Sequence, residues 1–201
     1  MVEIKTIFFD LFGVLLGIDQ STIIHYVAQK IDLPYLQTKD IVMGEVFMRL
    51  ERGEIGFKQY FQDLQYALPG GEKLNYDEFQ LRWTSNNIDE LPAVECLPKL
   101  KENYTLHIIS NTSEAHIYSL KKQFKLFSNF EKIITSESAN SSKPSIEIFN
   151  YALNKTGTTS ESSVFIDDMY SNISAAKNLG FNSHHYTDYE EFNKFVCIFL
   201  F

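Results

Sequence analysis

The stretch Thr6-Ile7-Phe8-Phe9-Asp10-Leu11-Phe12-Gly13-Val14-Leu15 sets an unbroken apolar run directly against an acid, with a glycine three residues further on. A short apolar run without alternation is what a strand buried on both faces needs, because neither face meets water. Gly13 lets the chain turn sharply beside the carboxylate, so Asp10 is expected at the exposed edge of a sheet. Taken singly, an Asp in that position is more often a turn cap. The arrangement recurs, however. Leu106-His107-Ile108-Ile109 runs into Ser110, Ile133-Ile134 into Thr135, and Val164-Phe165-Ile166 into Asp167. Helical segments lie between these runs: Ser145 to Leu153, with Pro144 expected at a first helical position and Gly157 as the stop, and Ile173 to Asn178, closed by Leu179-Gly180. A strand-like Asn182-Ser183-His184-His185-Tyr186 follows. Apolar runs alternating with helices predict an α/β fold, a parallel sheet covered by helices on both faces.

Residues 17–90 follow a different pattern. Ile41-Val42-Val46-Phe47-Leu50 and Phe57-Tyr60-Phe61-Leu64 have helical spacing, and no clear strand interrupts them. This predicts a small α-helical cap domain, residues 17–90, inserted into a core made of residues 1–16 and 91–201. A cap so placed lies over the C-terminal edge of the sheet, where open α/β sheets bind ligands.

Composition narrows the rest. The 201 residues are 44% hydrophobic and 22% charged, with only nine Gly and five Pro, which excludes disordered, collagen-like and linker-rich chains. Eighteen basic residues against 26 acidic ones give a net charge of −8, which repels nucleic acid and anionic membrane surfaces. Neither is expected as a partner. Cys96 and Cys197 have no metal-ligand or framework spacing, and both are expected reduced and packed. The N-terminal residues lack the features of a signal peptide. The apolar tail from Phe192 to Phe201 is far shorter than the roughly 18 residues needed to span a bilayer. A cytoplasmic protein is expected, monomeric or homodimeric, with the tail packed on the core or against a second subunit.

Four polar clusters at the strand ends carry the chemistry. Beside Asp10 stands Ser110-Asn111-Thr112, whose hydroxyl, amide and helix-start N–H groups suit an anion, and equally suit an ordinary helix cap. Lys143-Pro144 adds a cation, although a single Lys is usually solvated. Asp167-Asp168-Met169-Tyr170-Ser171-Asn172 is the most specific, with two adjacent acids and an amide four residues on. Three acids converging at one edge raise each other's pKa unless a cation compensates. A hard divalent ion such as Mg²⁺ fits an all-oxygen set.

In this order, Asp, Ser, Lys and Asp-Asp at strand ends, the sequence resembles the haloacid dehalogenase-like hydrolase superfamily over nearly its whole length. The resemblance implies a Rossmannoid core in which Asp10 is the nucleophile, Ser110 holds the substrate anion and Lys143 steadies the developing charge. In its phosphatase members Asp168, often with Asp167, helps to bind Mg²⁺ together with the second oxygen of Asp10 and the backbone carbonyl of Phe12; Asn172 supports the set. The wording around Ser110-Asn111-Thr112, Lys143-Pro144 and Phe165 to Ile173 resembles the branch containing α-glucose-1-phosphate phosphatases. What it implies is a Mg²⁺-dependent phosphatase of a small, anionic phosphorylated metabolite, working through an aspartyl-phosphate on Asp10, with Ser110, Asn111 and Lys143 on the phosphoryl oxygens.

One position departs from the family pattern: Phe12 stands where most of these phosphatases carry a general-acid Asp. General acid catalysis is worth about 10² to 10⁴ in rate, so two alternatives stay open. Haloacid dehalogenases also lack this Asp, need no metal and attack carbon. They hold the halide with a cap Arg, and the corresponding neighbourhood here reads Thr38-Lys39-Asp40-Ile41-Val42, with Arg49 and Arg52 the nearest. The other alternative is a non-catalytic member that binds a ligand. A base for hydrolysing the intermediate is unassigned among His25, His107, His116, His184 and His185, of which His116 is nearest the Ser110 loop.

Overall fold

The computed structural model of the protein describes residues 2–51, 54–84 and 87–197. In chain order, β1 (Thr6–Phe9) and a short β2 (Leu16–Asp19) precede five helices, α1 (Ser21–Ile31), α2 (Tyr35–Val42), α3 (Glu45–Glu51), α4 (Phe57–Ala67) and α5 (Tyr76–Thr84). The chain returns through β3 (Asn87–Glu90), which pairs with β2, and then follows α6 (Leu97–Lys101), β4 (Thr105–Ser110), α7 (Glu114–Gln123), β5 (Lys132–Thr135) and α8 (Ser136–Ala139). It ends with α9 (Ile146–Thr156), β6 (Ser163–Asp167), α10 (Tyr170–Asn178), β7 (Asn182–His185) and α11 (Tyr189–Phe195).

The larger sheet has the order β5-β4-β1-β6-β7 and is parallel throughout, so every strand ends at the same edge. Phe9 is level with Ile108 on one side and Ile166 on the other. The residue after β1 therefore stands beside the last residue of β6, and Ser110, level with Thr135, rises one step further on the opposite flank. The chain leaves β1 for β4 on one side and later fills β6 on the other. That reversal makes the edge at β1 the switch point of the sheet, the usual ligand site of an open α/β fold.

The apolar runs form the strands because both faces are covered. On one face Phe8, Ile109, Ile134 and Phe165 pack with Ile148, Phe149 and Ala152 of α9 and Ile173 and Ala176 of α10. The Phe149 and Phe165 rings meet edge-on at 5.2 Å. On the other face Phe9 meets Phe130 and Phe192. Gly157 ends α9 in the left-handed region, at φ 71°, where a residue with a Cβ is disfavoured.

By internal contacts the chain divides into Met1–Gly17 with Asp89–Phe201, and Ile18–Ile88. The second unit has its own core around Ile24, Val27, Val42, Tyr60, Phe61, Leu64 and Phe79. The Tyr60 hydroxyl donates to the Val42 carbonyl at 2.8 Å inside it.

Several expectations need correction. The helical segment is bordered by two four-residue strands, β2 and β3, too short for a strand pattern to stand out. Pro144 is not a first helical residue: it follows a cis bond, as third residue of a turn closed by Ser145 N–H to the Ser142 carbonyl at 2.9 Å. The helix begins only at Ile146. The last helix of the sheet starts a turn earlier than expected, at Tyr170, and so includes Asn172. Both cysteines are free, yet Cys197 is exposed and Cys96 only half-buried, so the packing expected of them fails for Cys197. The tail residues Ile198 to Phe201, like Arg52, lie outside the described residues. No described helix is long and apolar enough to cross a membrane.

Candidate active site

Asp10 leaves β1 with its N–H donating to the Ile166 carbonyl at 2.8 Å, which carries the β1–β6 pairing one residue further. Its carboxylate is not exposed as the sequence suggested: the residue is 7% accessible and paired with the still more deeply buried Lys143. The Lys143 ammonium, 1% accessible in its side chain, lies 2.8 Å from Asp10 Oδ1 and 2.6 Å from Asp167 Oδ2. Leu11 N–H donates to the same Asp10 oxygen at 2.6 Å. That oxygen is therefore fixed by two donors.

Asp167 is held from every side. Met169 N–H donates to Oδ1 at 2.8 Å, and the Asn172 amide, brought round by the first turn of α10, reaches Oδ1 at 3.0 Å and Oδ2 at 3.1 Å. Asp168 is only half-buried and points one of its oxygens to within 4.8 Å of ligand atoms on Asp10 and Asp167. Gly13 makes room for it. Gly13 sits at φ 88°, and a Cβ there would lie 2.4 Å from Asp168 Oδ2. The glycine is thus required both by the turn and by the carboxylate pressed against it.

Three carboxylates share this edge with one ammonium, and the electrostatics register the imbalance. Burial raises Asp10 well above the ordinary carboxylate range; Lys143 opposes this, while Asp167 and Asp168 add to the rise. Asp168 is raised by burial and then by Asp167. Burial alone would depress Lys143, but Asp10 and Asp167 more than reverse it. The site lacks positive charge. Its donors are all oxygens, and an ion between Asp10 and Asp168 relieves both raised acids, so the residues fit a hard divalent cation such as Mg²⁺. Asp167, with each oxygen already accepting two hydrogen bonds, is the weakest of the three ligands. The Phe12 carbonyl belongs to the tight turn that Gly13 N–H closes on the Leu16 carbonyl at 2.8 Å.

The Ser110 loop differs from expectation. Ser110 is buried at the end of β4. The Asn111 side chain, however, is turned onto the main chain of Lys143: Oδ1 accepts the Lys143 N–H at 2.8 Å and Nδ2 donates to its carbonyl at 3.0 Å. The N–H groups at the start of α7 are taken as well, that of Glu114 by Glu137 at 2.7 Å and that of His116 by the Ser113 hydroxyl at 3.2 Å. Asn111, Glu114 and His116 thus each have a partner within the protein.

Phe12 stacks on His116, with centroids 5.4 Å apart and planes 22° from parallel, and His116 Nδ1 lies 3.1 Å from the Thr112 hydroxyl. The other histidines are dispersed. His107 is buried in β4, where its Nδ1 accepts the Lys132 N–H at 3.2 Å, and burial lowers it to about 4. His184 stacks on Phe195, and His25 belongs to the other unit, bonded to the Ser21 carbonyl. His185 Nε2 donates to the Asp168 carbonyl at 2.9 Å. This hold on the main chain of Asp168 was not foreseen, although the level pairing of His185 with Asp167 explains it. Arg49 is paired with Asp63 at 3.0 Å within its own unit.

A family model described as haloacid dehalogenase-like hydrolase matches residues 7–185. D-ribitol-5-phosphate phosphatase from Bacteroides thetaiotaomicron is 26% identical over 190 residues, 90% of each chain. The sesquiterpene phosphatase astK from Aspergillus oryzae is 26% identical over 152 residues, 74% of this chain and 76% of its own. Among solved structures, a HAD family enzyme from Bacteroides thetaiotaomicron, in complex with magnesium and inorganic phosphate, is similar with a TM-score of 0.69 at 25% identity. That similarity covers 94% of this chain and 98% of the other.

Proposed function

The chain belongs to the haloacid dehalogenase-like hydrolase family, and from that premise we propose that it is a Mg²⁺-dependent phosphatase of a small phosphorylated metabolite. The observation that carries this reading is the buried Lys143 bridge between Asp10 and Asp167, with Asp168 alongside: three acids around a single cation, at the switch point of the sheet. Mg²⁺, when bound, offsets the charge of these carboxylates and of the substrate's phosphoryl group. Asp10 and Asp168, with the Phe12 carbonyl, would hold it, and Asp167 would contribute least. The curated relatives named as phosphatases, and the similar enzyme solved with magnesium and phosphate, support the same reading.

In the first step an oxygen of Asp10 attacks phosphorus. The bond from phosphorus to the substrate oxygen breaks, and an aspartyl-phosphate forms. Leu11 N–H and Lys143 hold Oδ1, which orients the carboxylate for the attack. Lys143 has three N–H bonds, two of them directed at Asp10 and Asp167; the third meets a phosphoryl oxygen, beside the Ser110 hydroxyl. Water then attacks the phosphorus and Asp10 leaves as a carboxylate. Residues 17–90 act as the cap that selects the substrate, and the protein works in the cytoplasm.

Phe12 favours a second reading, dehalogenation of a 2-halo acid, because a halide leaves without a proton. A panel of D-ribitol 5-phosphate, glucose 1-phosphate and an activated aryl phosphate, with Mg²⁺, separates the two. Turnover by the wild type that EDTA abolishes and Asp10→Asn lacks supports the phosphatase. Chloride release from 2-chloropropionate that survives EDTA, with no phosphate released from the panel, overturns it.

A further inference from the structure

We propose that Asn111 is a positioning residue that fixes Lys143 beside the edge of the sheet. This rests on the phosphatase reading and deepens it. Lys143 lies between α8 and α9, in a stretch without regular structure. Nothing in a ladder or a helix determines where its main chain sits. Its ammonium must nevertheless stay within 2.6 to 2.8 Å of two carboxylates on different strands, at the end of a flexible four-carbon stem. The Ser145 N–H bond to the Ser142 carbonyl sets the shape of the turn. It does not set the height of that turn above the sheet.

Asn111 does. It stands one residue past the end of β4, the neighbour of β1, and reaches 32 residues along the chain. Its amide takes both polar groups of Lys143, as acceptor at 2.8 Å and donor at 3.0 Å, the pairing that a neighbouring strand would otherwise supply. Buried main-chain groups need such partners. The Lys143 side chain then descends to Asp10 and Asp167 from a fixed origin. The Asn111 amide thus commits its oxygen and one of its two N–H bonds to the main chain of Lys143.

A double-mutant cycle tests this. Wild type, Asn111→Ala, Lys143→Met and the double variant are compared with Mg²⁺ and an activated aryl phosphate. Asn111→Ala is expected to lower kcat by about 10- to 100-fold, the usual cost of losing a group that orients a ligand, with KM nearly unchanged. In the Lys143→Met background it is expected to cost nothing further. Asn111→Asp keeps the acceptor and loses the donor, and should fall between wild type and Asn111→Ala. It also serves if the alanine variant does not fold. Should Lys143→Met turn over too slowly to follow, inorganic phosphate binding with Mg²⁺, measured by calorimetry on the same four proteins, must show the same non-additivity. A raised KM at unchanged kcat, or an equal loss in both backgrounds, overturns the proposal. A wild type with no turnover of any phosphate overturns the phosphatase reading instead.

Discussion

At Lys143 two carboxylates and one ammonium share a site that is almost wholly buried. Removing one partner of a buried ion pair typically costs about 3 to 5 kcal/mol, because the remaining charge is stranded. Lys143→Met should therefore lose stability on that scale in denaturant titrations without Mg²⁺, and regain part of it when Mg²⁺ is added. A loss below about 1 kcal/mol, the worth of an exposed pair, would mean that the bridge is incidental. Phe12 makes the second prediction. Its ring stacks on His116 and gives a departing alkoxide no proton. Phe12→Asp should raise kcat/KM on an alkyl ester such as D-ribitol 5-phosphate by up to about 10² to 10⁴, and change an aryl phosphate, whose leaving group needs no proton, far less. Equal effects on both would show that protonation does not limit the reaction.

Among the elements, the turn after β1 is the most constrained. Gly13→Ala would put a methyl group 2.4 Å from Asp168 Oδ2, at a φ of 88° that costs about 1 to 3 kcal/mol for a residue with a Cβ. The Mg²⁺ concentration for half-maximal activity should rise, and the melting temperature fall. Strand β4 carries a pH signature. His107 is lowered to about 4 by burial; Glu131 pulls it up and Lys132 down. The unfolded chain binds this proton near pH 6.5 and the folded chain only near 4. The contribution of His107 to stability is therefore complete above about 6.5 and declines as the pH falls between the two values. Denaturant titrations at pH 7 and pH 4.5 should differ less in His107→Gln than in the wild type. The strands were legible because burial on both faces leaves an unbroken apolar run. β2 and β3 were not, since four residues each are too few for a pattern to stand out. Pro144 was misplaced because sequence alone does not distinguish a cis turn from a helix start.

For the whole molecule, the legible part of the site is the part written at strand ends. Asp10, Ser110 and Asp167 follow apolar runs, and a parallel sheet brings all such ends to one edge. The burial of Lys143, the clamp by Asn111 and the hold of His185 on Asp168 depend on which segments meet across 17 to 133 residues. No local pattern encodes that. Net charge was equally silent: the −8 of the chain describes its surface, whereas the proposed chemistry turns on three acids and one lysine that are largely withdrawn from it. These four groups support one central claim, that Asp10 takes the phosphoryl group. A single turnover of an activated aryl phosphate with Mg²⁺, quenched in acid and followed by peptide mass spectrometry, tests it most directly. One phosphoryl group is expected on the peptide carrying Asp10, and none on that peptide in Asp10→Asn. Phosphate release with Asp10 never modified, or the same turnover in Asp10→Asn, would contradict it.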